Sequence, residues 1–104
     1  MKNKTKAEIS NFEEKVKEVL TELGAIHIGE TIYLLHTKYG KLNIIIDIDK
    51  SPIYSIFCMF EDTEKIKEFK SERVNMYSGR YNFHNSDLNS IVTGFKRELK
   101  ELIN

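Results

Sequence analysis

From Ala7 to Leu23 the apolar residues Ile9, Phe12, Val16, Val19, Leu20 and Leu23 recur at intervals of three and four, with Glu, Lys, Asn and Thr at nearly every other position. That period belongs to one face of an α-helix. Thr5 with Glu8, or Ser10 with Glu13, supplies a capping box at its start, and Gly24 suits the left-handed position just past its end. A stripe this short favours packing on a sheet over pairing in a coiled coil.

The period then changes to two. Ile26 to His36, Leu42 to Asp49 and Ile53 to Phe60 are rich in Ile, Leu, Tyr and Phe, with turn-forming residues at 37–41 and 49–52 between them. Three strands of an antiparallel meander are expected. In the second, Leu42, Ile44, Ile46 and Ile48 form an inward face, while Asn43, Ile45, Asp47 and Asp49 form a mostly wet one. The third is apolar on both faces, which predicts a central position or a covering second layer.

Glu61-Asp62-Thr63-Glu64 reads as a capped helix entry, with Ile66 and Phe69 as a short apolar stripe and an end near Ser71 or Arg73. Strict alternation returns between Tyr77 and His84. Tyr77, Gly79, Tyr81 and Phe83 would face inward, and Ser78, Arg80, Asn82 and His84 outward. Asn85-Ser86-Asp87 then caps a last helix with Leu88, Ile91, Val92, Phe95, Leu99 and Leu102 on its inner side. Gly94 inside that helix costs about 1 kcal/mol relative to Ala, and a close approach by another backbone would explain it. The expected fold is α+β: a single-layer antiparallel sheet of about four strands with helices packed on one face. The element order is α-β-β-β-α-β-α, in one domain spanning residues 1–104.

Composition narrows the function classes. The 104 residues carry 16 cations and 16 acids, balanced within each of the segments 1–24, 25–60 and 61–104, so no segment is a basic field. Nucleic-acid binding is thereby disfavoured, because phosphate contacts by Lys and Arg supply most non-specific affinity. The single cysteine, Cys58, excludes an internal disulfide, and its apolar surroundings point to an inert core thiol. No apolar run approaches the roughly 20 residues of a spanning helix, and the basic start from Met1 to Lys6 lacks the apolar core of a secretory signal. A cytoplasmic protein with no membrane association is expected.

Candidate chemistry is sparse. Asp47 and Asp49, two apart on one strand, could direct both carboxylates at a divalent cation, giving a metal-dependent hydrolase as one alternative. The bland reading is a solvated strand end whose charges discourage edge pairing. His27, His36 and His84 fit no short metal motif, so neither a metal nor any other cofactor is expected. Lys38, Tyr39, Lys41, Arg80 and Tyr81 combine cations with aromatics, as weak single-stranded nucleic-acid binders do. Tyr and Arg are equally the residues enriched at protein interfaces, which favours a binding surface at Tyr39, Ser78, Arg80, Asn82 and His84. Helix, three strands and helix is also the order of the double-stranded-RNA-binding domain, but Glu61, Asp62 and Glu64 stand where that family places lysines.

Three pieces carry a further likeness: Thr37-Lys38-Tyr39-Gly40 leading into Leu42-Asn43-Ile44, the run from Phe57 to Asp62, and the run from Asn75 to His84. Together, over residues 37–84, they resemble a group of small uncharacterised proteins of bacteriophages and other mobile elements. Met76 and Tyr81 depart from that group's pattern, where proline and tryptophan are more usual. The resemblance implies a mobile-element origin and a compact α+β domain, and brings no reaction, ligand or partner. With no catalytic set assembled in the sequence, a small non-enzymatic accessory protein that binds a host or phage protein is expected, and genes of this size on mobile elements suggest inhibition of a host defence system. A homodimer covering a free sheet edge is compatible with the sequence, and nothing in the residues selects it.

Overall fold

The computed structural model describes residues 3–62, 64, 74–75 and 79–104. Helix α1 (Lys6–Glu22) is followed by β1 (Ile26–His27), β2 (Ile32–Thr37), β3 (Gly40–Asp47), β4 (Tyr54–Phe60), β5 (Val74–Asn75), β6 (Arg80–Asn85) and helix α2 (Leu88–Ile103). All strand pairs are antiparallel, in the order β1-β2-β3-β4-β6-β5. The expected α+β class and antiparallel sheet are found. The sheet has six strands rather than four because two two-residue strands extend its edges. Most of the expected second helix, with Ile66 and Phe69, lies outside the described residues, as do Tyr77 and Ser78; of its entry, Asp62 Oδ1 accepts the Glu64 amide.

Both described helices start where the caps require. Thr5 accepts the Glu8 amide through its side chain, and Asp87 accepts the Ser90 amide, so each first turn has one of its orphan donors satisfied. Gly24, at φ 83°, takes the left-handed turn after α1 that a side chain would resist. Phe12, Val16, Val19 and Leu20 of α1 and Ile91, Phe95, Leu99 and Leu102 of α2 meet the inward faces of β2, β3, β4 and β6. These buried residues form a single core, with Phe83 edge-on to Phe95 at 5.2 Å and Phe12 beside Tyr54 at 4.9 Å.

Three local expectations fail for identifiable reasons, and one alternative is decided. The stretch from Ile26 to His36 is two strands, because Ile28 and Gly29 donate to the Ile32 carbonyl and Ile32 donates back to Gly29, closing a turn. Ile48 is exposed rather than core. Asp47 Oδ1 accepts the Asp49 amide, Asp49 Oδ1 the Ser51 amide and Ser51 Oγ the Ile53 amide, so side chains take over the backbone and end β3 at Asp47. β4 is central as expected, but no described element covers its outer face. Gly94 meets no other backbone: a Cβ there would find nothing within 4 Å among the described residues.

Candidate functional site

The register sorts the sheet's second face into rows. One row runs Leu34, Asn43, Met59, Arg80, the next Ile32, Ile45, Phe57, Asn82, and a third Asp47, Ser55, His84. Each is set by pairing, since residues two apart on a strand share a face. The centre is apolar and open to solvent: Ile45 is 41% exposed, Phe57 38% and Met59 45%, with Ile26 and Ile32 continuing it on β1 and β2. The rim is polar. Ile28, Ile48 and Ile53 add exposed apolar surface in the two turns at the Asp47 end of the sheet.

Arg80, Asn82 and His84 leave β6 on this face, as their alternation with buried Tyr81 and Phe83 requires. Ser55 Oγ and His84 Nδ1 are hydrogen-bonded at 3.0 Å, and the imidazole stands edge-on to Phe57 at 5.7 Å. Asn43 Nδ2 donates to Glu61 Oε1 at 3.3 Å. Arg80 and Lys41, both exposed, have no ion pair or side-chain hydrogen bond among the described residues. A groove of about 240 Å³ opens between Ile45, Phe57, Met59, Arg80 and Asn82. It has the size for one large side chain.

A serine bonded to an imidazole is a nucleophile–base arrangement. Here the acid of the same row, Asp47, lies beside the serine rather than behind the imidazole, and its Oδ1 is engaged by the Asp49 amide. This order is not that of a hydrolase triad, whose imidazole sits between the other two groups. Ser55 is buried and gains a hydrogen-bond partner in His84. The pair was not legible in the sequence, because 29 residues separate its members.

The other candidate residues are scattered. Tyr39 is half-buried against the core on the helix side, where the hairpin turn closes as Lys38 N donates to the Leu102 carbonyl at the end of α2. It is therefore not on the surface with Arg80. Tyr81 is fully buried between Phe60 and Phe83, which removes it as a stacking platform for a base. Lys41 shares the open face with Arg80 but stands two strands away. Asp47 and Asp49 do not share a strand face, since β3 ends between them. His27 stacks on Tyr33 at 4.5 Å on the helix side, while His36 and His84 lie on β2 and β6 of the open face. No group of three or more His, Cys, Asp or Glu side chains converges among the described residues. Cys58 is in the core, and burial pushes its thiol well above the usual range.

Lys4 carries the least expected contact. Only 5% exposed, it donates from Nζ to the Ile53 carbonyl at 2.9 Å and lies over the Tyr54 ring at 4.7 Å, while its amide donates to the Lys50 carbonyl. Desolvation lowers its pKa below 10.5, and Asp47, Asp49 and Glu8 oppose that by attraction. The lysine thus ties the start of α1 to the β3–β4 loop. No sequence pattern marks it.

Among the described residues no helix is long and apolar enough to cross a membrane. Compared with known proteins, the chain matches no family model, no curated protein and no solved structure.

Proposed function

We propose that this chain is a small non-enzymatic accessory protein that works by binding another protein through the open face of its sheet. The carrying observation is the contiguous apolar centre of Ile45, Phe57 and Met59, exposed and rimmed by Asn43, Arg80, Asn82 and His84. Apolar surface of this kind costs solubility and is retained where a partner covers it. An apolar centre with a polar rim is also the anatomy of a protein interface. The resemblance of residues 37–84 to small mobile-element proteins supports a host or phage protein as partner, and inhibition of a host defence system by occlusion as the outcome.

Site-specific photocross-linking tests this in bacterial cells. A photoreactive residue replacing Phe57 should give an adduct with another protein, and the same residue replacing Glu18 on the solvent side of α1 should not. Equal adducts from both positions, or none from position 57 in folded protein, would remove the reading.

A further inference from the structure

We infer that in the free protein this face is covered by a second copy of the chain, packed sheet on sheet across a two-fold axis that crosses the strands between the Arg80 row and the Asn82 row. The inference rests on the reading that the open face is a docking surface, and it names what covers that surface when no other protein does. A host or phage partner then has to displace the second copy.

The whole face is self-complementary about that axis. It carries a fourth row of His36, Lys41 and Glu61, because His36 pairs with Lys41 and the Glu61 amide donates to the Lys41 carbonyl. At its β1 edge Ile26 pairs with Leu34, and Ile28 stands beside Ile32, to whose carbonyl its amide donates. Rotation about the axis exchanges the two outer rows and the two inner rows. Met59 then meets the second copy's Phe57, Leu34 the second copy's Ile32, and Ile26 the second copy's Ile28. Exposed apolar side chains thus cover one another, with a thioether against an aromatic ring at the centre. Arg80 meets the second copy's Asn82. The exception is Asn43, which falls on the second copy's Ile45 but keeps its bond to Glu61.

Charge follows the same symmetry. Strand pairing places Lys41, Glu61, Arg80 and Asp47 on this face. The axis sets Lys41 opposite the second copy's Asp47 in both halves of the dimer, and Glu61 opposite the second copy's Ser55, one strand from the second copy's His84. None of the four faces a like charge. Asp47 accepts the Asp49 amide and Glu61 accepts from Asn43, each through one oxygen, which leaves the other to a facing group; Asp47 also attracts Lys4 at the end of the sheet. A crossing angle of about 30° between packed sheets moves these outer pairs by about 5 Å, within the reach of a lysine side chain. An axis along the strands between β3 and β4 would instead set Arg80 on the second copy's Leu34 and Asp47 on the second copy's Ser55. Area agrees with a stable dimer. Five strands about 4.8 Å apart by four rows about 6.8 Å apart, widened by their side chains, make a face of roughly 25 by 25 Å, whose relief brings it near the about 800 Å² per partner of a standard interface. A sheet apolar in the middle of both faces thereby gains its missing second layer.

Sedimentation of the purified full chain tests this. The parent should form a dimer that Phe57→Asp dissolves. Lys41→Glu and Asp47→Lys each set like charges opposite one another twice, so each should weaken the dimer at least about tenfold. An equal mixture of the two variants should regain it, since both charged contacts across the axis then join opposite signs. In the parent itself, a zero-length amine–carboxyl cross-linker applied to mixed labelled and unlabelled chains should join Lys41 of one chain to Asp47 of the other, which needs no substitution. A parent that stays monomeric up to about 1 mM, a dimer indifferent to Phe57→Asp, or absence of the link between Lys41 and Asp47 would each overturn the inference. If the chain is monomeric while position 57 cross-links to another protein, the second copy is wrong and the docking face stands. If both fail, the face itself is wrong.

Discussion

Ile44 and Ile45 are neighbours on β3, chemically identical, and live in different worlds. Ile44 is fully buried under the helices, while Ile45 points to solvent from the other face, where Phe57 and Met59 flank it. The helix-covered face holds the fold together; the open one is equally apolar in the middle yet contributes less to that task. Ile45, Phe57 and Met59 stay 38–45% exposed and gain correspondingly less from folding than Ile44, since stabilisation follows area removed from water. The two faces thus separate stability from recognition.

The sharpest way to break that comparison is the same change on both sides. Ile44→Thr should cost about 3 kcal/mol, from lost burial and a hydroxyl placed among apolar neighbours, and denaturant unfolding should show it. Ile45→Thr should cost no more than about 1 kcal/mol by the same assay. Equal losses would mean that both faces are core.

Lys4 is the next largest effect. Lys4→Met keeps the packing stem but leaves the Ile53 carbonyl without its donor, and should cost about 1 kcal/mol in the same assay. Gly94→Ala works in the opposite direction: with nothing within 4 Å of the new methyl and a helix interior around it, it should stabilise by up to about 1 kcal/mol. Loss of stability there would show that the notch at Gly94 is occupied.

The smallest effect concerns acid. Asp87 has its carboxyl held below 3.8, chiefly by the Ser90 side-chain and backbone hydrogen bonds. A carboxyl depressed in the folded state contributes stability above its unfolded pKa and loses it as pH falls through the folded value. Thermal unfolding of the parent and of Asp87→Asn should therefore differ near neutral pH and converge as pH falls through the depressed folded-state pKa of Asp87. A gap that widened on acidification would contradict the cap.

Periodicity carried much of this fold. The α1 stripe, the inward Leu42, Ile44 and Ile46, and the alternation of Arg80, Asn82 and His84 with Tyr81 and Phe83 all sit on the faces that spacing implies. Spacing failed where side chains or turns intervened. Ile48 kept the period of two, but Asp47 capturing the Asp49 amide had already ended the strand, and the Gly29–Ile32 turn cut an apolar run that looked continuous. The open face was only half legible: β4 read as apolar on both sides, which fits a covered strand as well as a docking one. Arg80, Asn82 and His84 followed from alternation, whereas the exclusion of Tyr39 and the bond between Ser55 and His84 depend on three-dimensional packing. Lys4 reaches across 49 residues to Ile53, a contact no local pattern encodes.

The division between the faces meets its most direct test in one variant carrying Ile45→Thr, Phe57→Thr and Met59→Thr, with a photoreactive residue replacing the exposed Ile32 at the edge of the open face. The account predicts that the adduct with the partner disappears while the variant still unfolds in one cooperative transition and stays folded at the temperature of the cross-linking. An adduct of undiminished yield from the folded variant would contradict it.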